Sequence, residues 1–138
     1  METINKMEEE MVKKQFNFKG KTVEELKTLD VREFARYLTS RPRRYVLRNF
    51  QTVEGFLKES RDKNQKKKSI KTHNRDLIIV PEMVGWKIHV HRGNSFEPVE
   101  IVGEMLGHKL GEFSLTRKKA NHSKTGVGAT KGSKVAKK

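Results

Sequence analysis

Between Ser114 and Lys138 the sequence has no aspartate or glutamate, yet Arg117, Lys118, Lys119, Lys124, Lys131, Lys134, Lys137 and Lys138 put eight positive charges there. A segment of that composition buries too little apolar surface to offset the entropy of ordering its backbone. A compact fold must therefore be built from the residues before Ser114, with residues 114–138 as an extended basic tail. Gly126, Gly128 and Gly132 leave the tail backbone free to approach another chain closely. Its hydroxyls, among them Ser123, Thr125 and Thr130, suit phosphate oxygens. A solubilising end is the plain alternative, but an acid-free run with glycines between its cations is better matched to a polyanion.

Charge elsewhere reinforces this. The 138 residues carry a formal net charge of +14, with a pI near 10.1. A compact state so charged repels itself unless something anionic lies against it. Nucleic acid is the favoured partner and an anionic membrane surface the competitor. No apolar run approaches the roughly 20 residues needed to span a bilayer, and "METINKMEEE" lacks the apolar heart of a signal peptide. The absence of cysteine excludes disulfides, thiolate catalysis and Cys-based zinc sites. The expectation is a soluble, cytoplasmic protein that needs no membrane.

Hydropathy divides the rest of the chain. Residues 1–15 read as a flexible, acid-leaning start. Residues 16–62 read as a helical extension. Thr22 and Glu25 have capping-box spacing ahead of Val23, Leu26 and Leu29, and Asp30 with Glu33 repeats it ahead of Phe34, Ala35 and Leu38. Ser40 is placed to cap a third, longer helix, with Pro42 in its first turn and a stripe of Val46, Phe50, Val53 and Leu57. Residues 63–76 form a basic connector, too polar to bury, whose first half reads as mobile. Residues 77–113 form an α+β core. "LIIV" suits a covered strand, and "WKIHVH" alternates Trp86, Ile88 and Val90 against Lys87, His89 and His91. "RGNS" offers a hairpin turn, Phe96 to Ile101 returns, and Pro98 argues for an edge. Trp86 and Phe96 are assigned to the core. The fold class is α+β: a small antiparallel sheet of about three strands packed with helices.

Several side-chain sets can carry chemistry. Arg41, Arg43, Arg44 and Arg48 form a cluster without an acid between them, and guanidinium forks suit phosphates and stacked bases. Lys67 and Lys68 head the connector's cations. His89 and His91 share a strand face, but two ligands do not make a metal site, and His73, His108 and His122 have no ligand spacing relative to them. The carboxylates Glu82, Glu97, Glu100, Glu104 and Glu112 show no pattern that would converge two of them. "GEMLG" and "GHKLG" lack the setting and the GK[ST] ending of a phosphate loop and read as backbone bends. No enzyme, cofactor, metal or small-molecule substrate is expected.

The run from "KTHNRD" to "GVGAT" closely resembles the small-subunit ribosomal protein S-nineteen family, in its archaeal and eukaryotic branch (the eukaryotic counterpart is called S-fifteen). The most specific pieces are "IIVPEMVG" (Ile78–Gly85), "GHKLGEF" (Gly107–Phe113) and "GVGAT" (Gly126–Thr130). "FNFKGKTVEELKTL" and "SRPRRYVLRNF" resemble that branch's N-terminal extension. At the hairpin, where family members often carry "YNGK", this chain has "HRGN". The resemblance implies a protein of the small-subunit head that binds the 3′ major domain of the small-subunit rRNA. It also implies pairing with the head protein S-thirteen, a tail reaching toward the decoding site and tRNA, and proximity to the large subunit. It offers Lys71, Thr72, His73 and Arg75 before the first strand as RNA contacts. His108 and Lys109 in "GHK" join them, as do Arg117, Lys118, Lys119, His122, Lys124 and Lys131 in the tail.

The sequence thus points to a non-catalytic rRNA-binding component of the small ribosomal subunit. It holds RNA phosphates through the tail, the basic segment and the arginine helix. A basic DNA-compacting protein is the main alternative, and an enzyme with an RNA-binding tail is the second.

Overall fold

In the computed structural model the residues described are 16–119. A two-stranded hairpin, β1 (Asn17–Phe18) and β2 (Lys21–Thr22), opens the fold. Lys19 and Gly20 turn it with φ of 49° and 82°. Two short helices follow, α1 (Val23–Lys27) and α2 (Val31–Phe34), then a 3-10 turn over Ala35–Tyr37. The expected capping box forms at α1: the Glu25 amide donates to Thr22 Oγ1 and the Thr22 amide to the Glu25 carboxylate. At α2, Asp30 occupies the cap position without a side-chain bond.

The third helix expected from the sequence is two helices, α3 (Ser40–Arg48) and α4 (Phe50–Gln65). Asn49 separates them at φ −107°, and its side-chain amide donates to the Tyr45 carbonyl at 3.1 Å. An asparagine side chain competing for the backbone is a physical reason for a break at that residue. The expected cap is displaced by one residue, since Thr39 stands at the start of α3. Helix α4 ends in a Schellman motif: the Lys68 amide bonds Lys63 O at 2.8 Å and the Lys67 amide bonds Asn64 O at 3.0 Å. Lys67 takes the left-handed position usually given to glycine, at φ 52°.

A three-stranded sheet has the order β3 (Ile70–Thr72), β4 (Lys87–His91), β5 (Phe96–Glu100). β4 and β5 pair antiparallel as expected, and Pro98 lies on the edge strand β5. β3 pairs with β4 in parallel, Ile70 opposite Ile88 and Thr72 opposite Val90, so the sheet is mixed. Its third strand comes from the connector, which the sequence marked as too polar to bury. Charge density hid Ile70 and Thr72, both of which are buried. "LIIV" is not a strand beyond one bridge, Ile78 to Lys109. Leu77, Ile78, Ile79 and Val80 are all buried, and bonds from Ile79 N to His108 O, Gly107 N to Ile79 O and Leu110 N to Leu77 O tie the run to the glycine-rich segment.

One hydrophobic cluster takes residues from the helices, the connector and the region after it. Leu26, Phe34, Leu38, Val46, Val53 and Leu57 from the helices meet Ile78, Ile79, Ile88, Val90, Ile101 and Leu110. Each fully buried aliphatic or aromatic side chain contributes roughly 1.5–3 kcal/mol. Trp86 is half-buried against this cluster. Phe96 lies elsewhere. Opposite His91, on the sheet face away from Val90, its ring meets the imidazoles of His73 and His91 at 5.1 and 5.0 Å.

Candidate nucleic-acid interface

Helix α3 buries Val46 and exposes Arg41, Arg43, Arg44 and Arg48. Three of these arginines share a role and the fourth does not. Arg43 turns back on the fold: Nε donates to Ala35 O at 3.0 Å, and Nη2 to Arg36 O at 2.7 Å and Leu38 O at 3.0 Å. Those carbonyls belong to the 3-10 turn and its C-terminal cap, so Arg43 braces the turn; Ala35 O also accepts from the Leu38 amide.

Arg41, Arg44 and Arg48 line a cleft of about 670 Å³. The opposite wall is the glycine-rich segment with His108 and Lys109, while Lys19 of the β1–β2 turn, Tyr37 and Tyr45 complete it. Two clusters more than fifty positions apart in sequence thus converge. The reason is in the core: Gly107, at φ 79°, would place a Cβ 2.9 Å from Leu38 Cδ2, so only glycine brings the segment this close to the start of α3. The cleft wall carries five permanent cations (Lys19, Arg41, Arg44, Arg48, Lys109) against one carboxylate, Glu112. Glu112 faces His108, its Oε2 2.8 Å from Nδ1. Lys109 Nζ donates to Asp76 at 2.8 Å, and that bond raises the lysine pKa above its ordinary value. Lys19, Tyr37 and Tyr45 had no signature in the sequence, because their place in the cleft comes from folding alone.

The connector divides similarly. Lys67, Lys68, Lys71 and His73 are exposed. Thr72 is buried, its Oγ1 accepting from the Asn74 amide at 3.0 Å. The half-buried Arg75 donates to His91 O at 2.6 Å and Gly111 O at 2.8 Å, and also to Ser114 O. Thr72 and Arg75, offered as RNA contacts, are therefore engaged by the fold, as Arg43 is: short polar and forked side chains next to strand ends meet backbone groups first. Arg61 forms a forked pair with Glu82, which raises its pKa.

At the tail, Arg117, Lys118 and Lys119 are exposed, and Lys118 lines a shallow recess with Arg92 of the hairpin. His122, Lys124 and Lys131 lie outside the described residues. Among the described residues, no group of three His, Asp or Glu side chains is arranged to hold a metal ion, and no helix is long and apolar enough to cross a membrane.

The family described as ribosomal protein S19 matches residues 44–122, a span that takes in Arg44, Arg48, the connector, the sheet and the glycine-rich wall of the cleft. The protein named small ribosomal subunit protein uS19 of Methanococcoides burtonii is 42% identical over 123 residues, 88% of each chain. The chain belongs to the ribosomal protein S19 family. The resemblance drawn from "IIVPEMVG" and "GHKLGEF" is thereby confirmed. S19 proteins are structural proteins of the ribosome rather than enzymes. Two basic side chains of the cleft in this S19 chain have carboxylate partners, His108 in Glu112 and Lys109 in Asp76.

Proposed function

We propose that this S19 protein is a structural component of the small ribosomal subunit that binds small-subunit rRNA in the subunit head, with its cleft as the principal grip. The observation that carries the reading is the convergence of Arg41, Arg44 and Arg48 with Lys19 and Lys109 around one cleft. Arginine forks bind phosphate oxygens in pairs, and a concave cationic wall follows the backbone of a folded RNA better than a flat one. Each phosphate neutralised releases counterions, so affinity falls steeply with salt. A-form RNA hides its major-groove edges from side chains, so shape and unpaired features set the register. Lys67, Lys68, Lys71 and His73 add contacts from the connector, and the cations from Arg117 onward add phosphate contacts of their own. Pairing with the head protein S-thirteen, a tail directed at the decoding site and tRNA, and proximity to the large subunit belong to the same reading. The support for these is family membership alone.

The test compares a transcript of the 3′ major domain of the small-subunit rRNA with duplex DNA of similar length at matched salt. Preference for the transcript, reduced when Arg41, Arg44 and Arg48 are all changed to glutamine, is the expected result. Equal affinity for both polymers would overturn the reading in favour of a DNA-compacting protein.

A further inference from the structure

The sheet has a second face, and nothing in the cleft uses it. Ile88, Val90 and Val99 are buried on the core side, which directs Lys71, His89, His91, Phe96 and Pro98 outward. Three rings gather there. His73 and His91 lie 4.4 Å apart at an interplanar angle of 37°, and the ring of Phe96 stands nearly edge-on to both, at 78° and 68°. Lys71 Nζ sits 5.5 Å from the Phe96 centroid. His73, at the outer end of β3, is exposed.

The bland account of such a cluster is rings packing together to shield one another. Two features point further. A phenylalanine on the outward face of a strand gains little from the core, and here it fixes the orientation of two imidazoles, one of them open to solvent. The cation on this end of the face is Lys71, while Glu100, the acid on this face of β5, stands opposite Lys87 at the far end of the strand pair. An open aromatic surface edged by a lysine has the chemistry of a base-stacking platform, in which a ring receives the π-face of a base and an ammonium receives the adjoining phosphate.

We propose that His73, held by His91 and Phe96, stacks on one unpaired RNA base, with Lys71 on the neighbouring phosphate. This rests on the reading of the protein as RNA-binding and adds a second, chemically different contact to the cleft. The cleft grips backbone by charge, whereas the platform selects an unpaired nucleotide by its exposed face. Duplex RNA, its bases stacked internally, has nothing to offer it.

The experiment uses the full chain and two probes: a single-stranded oligoribonucleotide with 2-aminopurine at its centre, and an RNA duplex of the same length. Binding of the single strand should change the 2-aminopurine emission as the base stacks. His73→Ala and Phe96→Leu should each abolish that change and weaken single-strand binding roughly five- to hundredfold. The slope of log affinity against log salt should stay as it was, because the stacking contact neutralises no phosphate. Phe96→Tyr should restore the emission change. Lys71→Gln should instead lower the salt slope by roughly 0.7, the share of one phosphate on a single strand. Unchanged emission and affinity in His73→Ala and Phe96→Leu would overturn the platform, as would equal weakening on both probes. Because His73 is exposed, its alanine variant keeps the test valid even if Phe96→Leu fails to fold. Failure of the unaltered chain to bind either probe would instead refute the RNA-binding reading itself.

Discussion

The guanidinium of Arg75 donates to the carbonyl oxygen of Ser114, 39 residues further along the chain. The same fork holds Gly111 O, while its other arm holds His91 O. One side chain thereby ties the connector, strand β4 and the last turn of the core together at the point where the tail departs. Arg75→Lys keeps the charge but not the planar fork, and leaves part-buried carbonyls without donors. It should cost about 1–3 kcal/mol of stability. Chemical denaturation measures this, and Arg75→Gln, which removes the charge as well, should leave the salt slope of RNA binding unchanged because Arg75 serves the fold.

Arg43 and Arg48 should separate in the same way. Arg43→Gln removes donors from Ala35, Arg36 and Leu38 and should lower stability by roughly 1–2 kcal/mol with little change in salt slope. Arg48→Gln should leave the melting temperature nearly unchanged and reduce the slope by about 1. Paired melting and salt-titration measurements decide between the two roles.

Asp76 holds the Lys109 ammonium that the proposed RNA contact would use. Asp76→Asn removes a negative charge and frees the ammonium, so RNA affinity should rise a few-fold, while stability should barely change because the pair is exposed to solvent. The hydrogen bond to Asp76 raises the Lys109 pKa. The pair's contribution is therefore complete below the ordinary lysine value and fades only as pH rises through the elevated one. Lys109 should add no pH dependence to RNA binding across the neutral range, and titrated binding would reveal any.

Gly107 should resist substitution. Its φ of 79° and the approach of Leu38 Cδ2 to the place of a Cβ leave no room for alanine. Gly107→Ala should destabilise the protein by about 1–3 kcal/mol and splay the cleft wall, weakening RNA binding as well. Gly85→Ala meets no neighbouring atom and carries only the backbone cost of its φ of 92°. It should therefore reduce stability while leaving affinity intact, which denaturation and RNA titration of the two variants would show.

Removal of residues 117–138 takes away all eight cations of the acid-free segment. The remaining chain should fold with a nearly unchanged melting temperature and bind RNA more weakly, with a salt slope shallower by up to about 0.9 for each phosphate it no longer neutralises. Unfolding of the shortened chain would show that the core depends on that segment.

Local chemistry is legible in the sequence wherever neighbours in the chain are also neighbours in space. The Thr22–Glu25 capping box, the alternation of β4 and the edge position of Pro98 all follow from short-range rules. The same rule of alternation, applied to β5, would have placed Phe96 on the opposite face from Val99. β3 escapes such rules because one isoleucine among lysines makes no pattern until β4 supplies its partner. The run "LIIV" looks like a strand because its four residues are buried, but burial on all sides does not require a regular ladder.

What the amino-acid order settled alone was charge, class and family: a basic α+β chain with an acid-free, cationic final segment. Which cations remain available to a partner was decided by tertiary structure. Arginines alike on paper separate once folded, Arg43 and Arg75 drawn to backbone carbonyls and Arg41, Arg44 and Arg48 left facing a cleft. The reason is that a guanidinium bonds whichever acceptors the fold brings within reach, and reach is a property of the packed core rather than of the sequence.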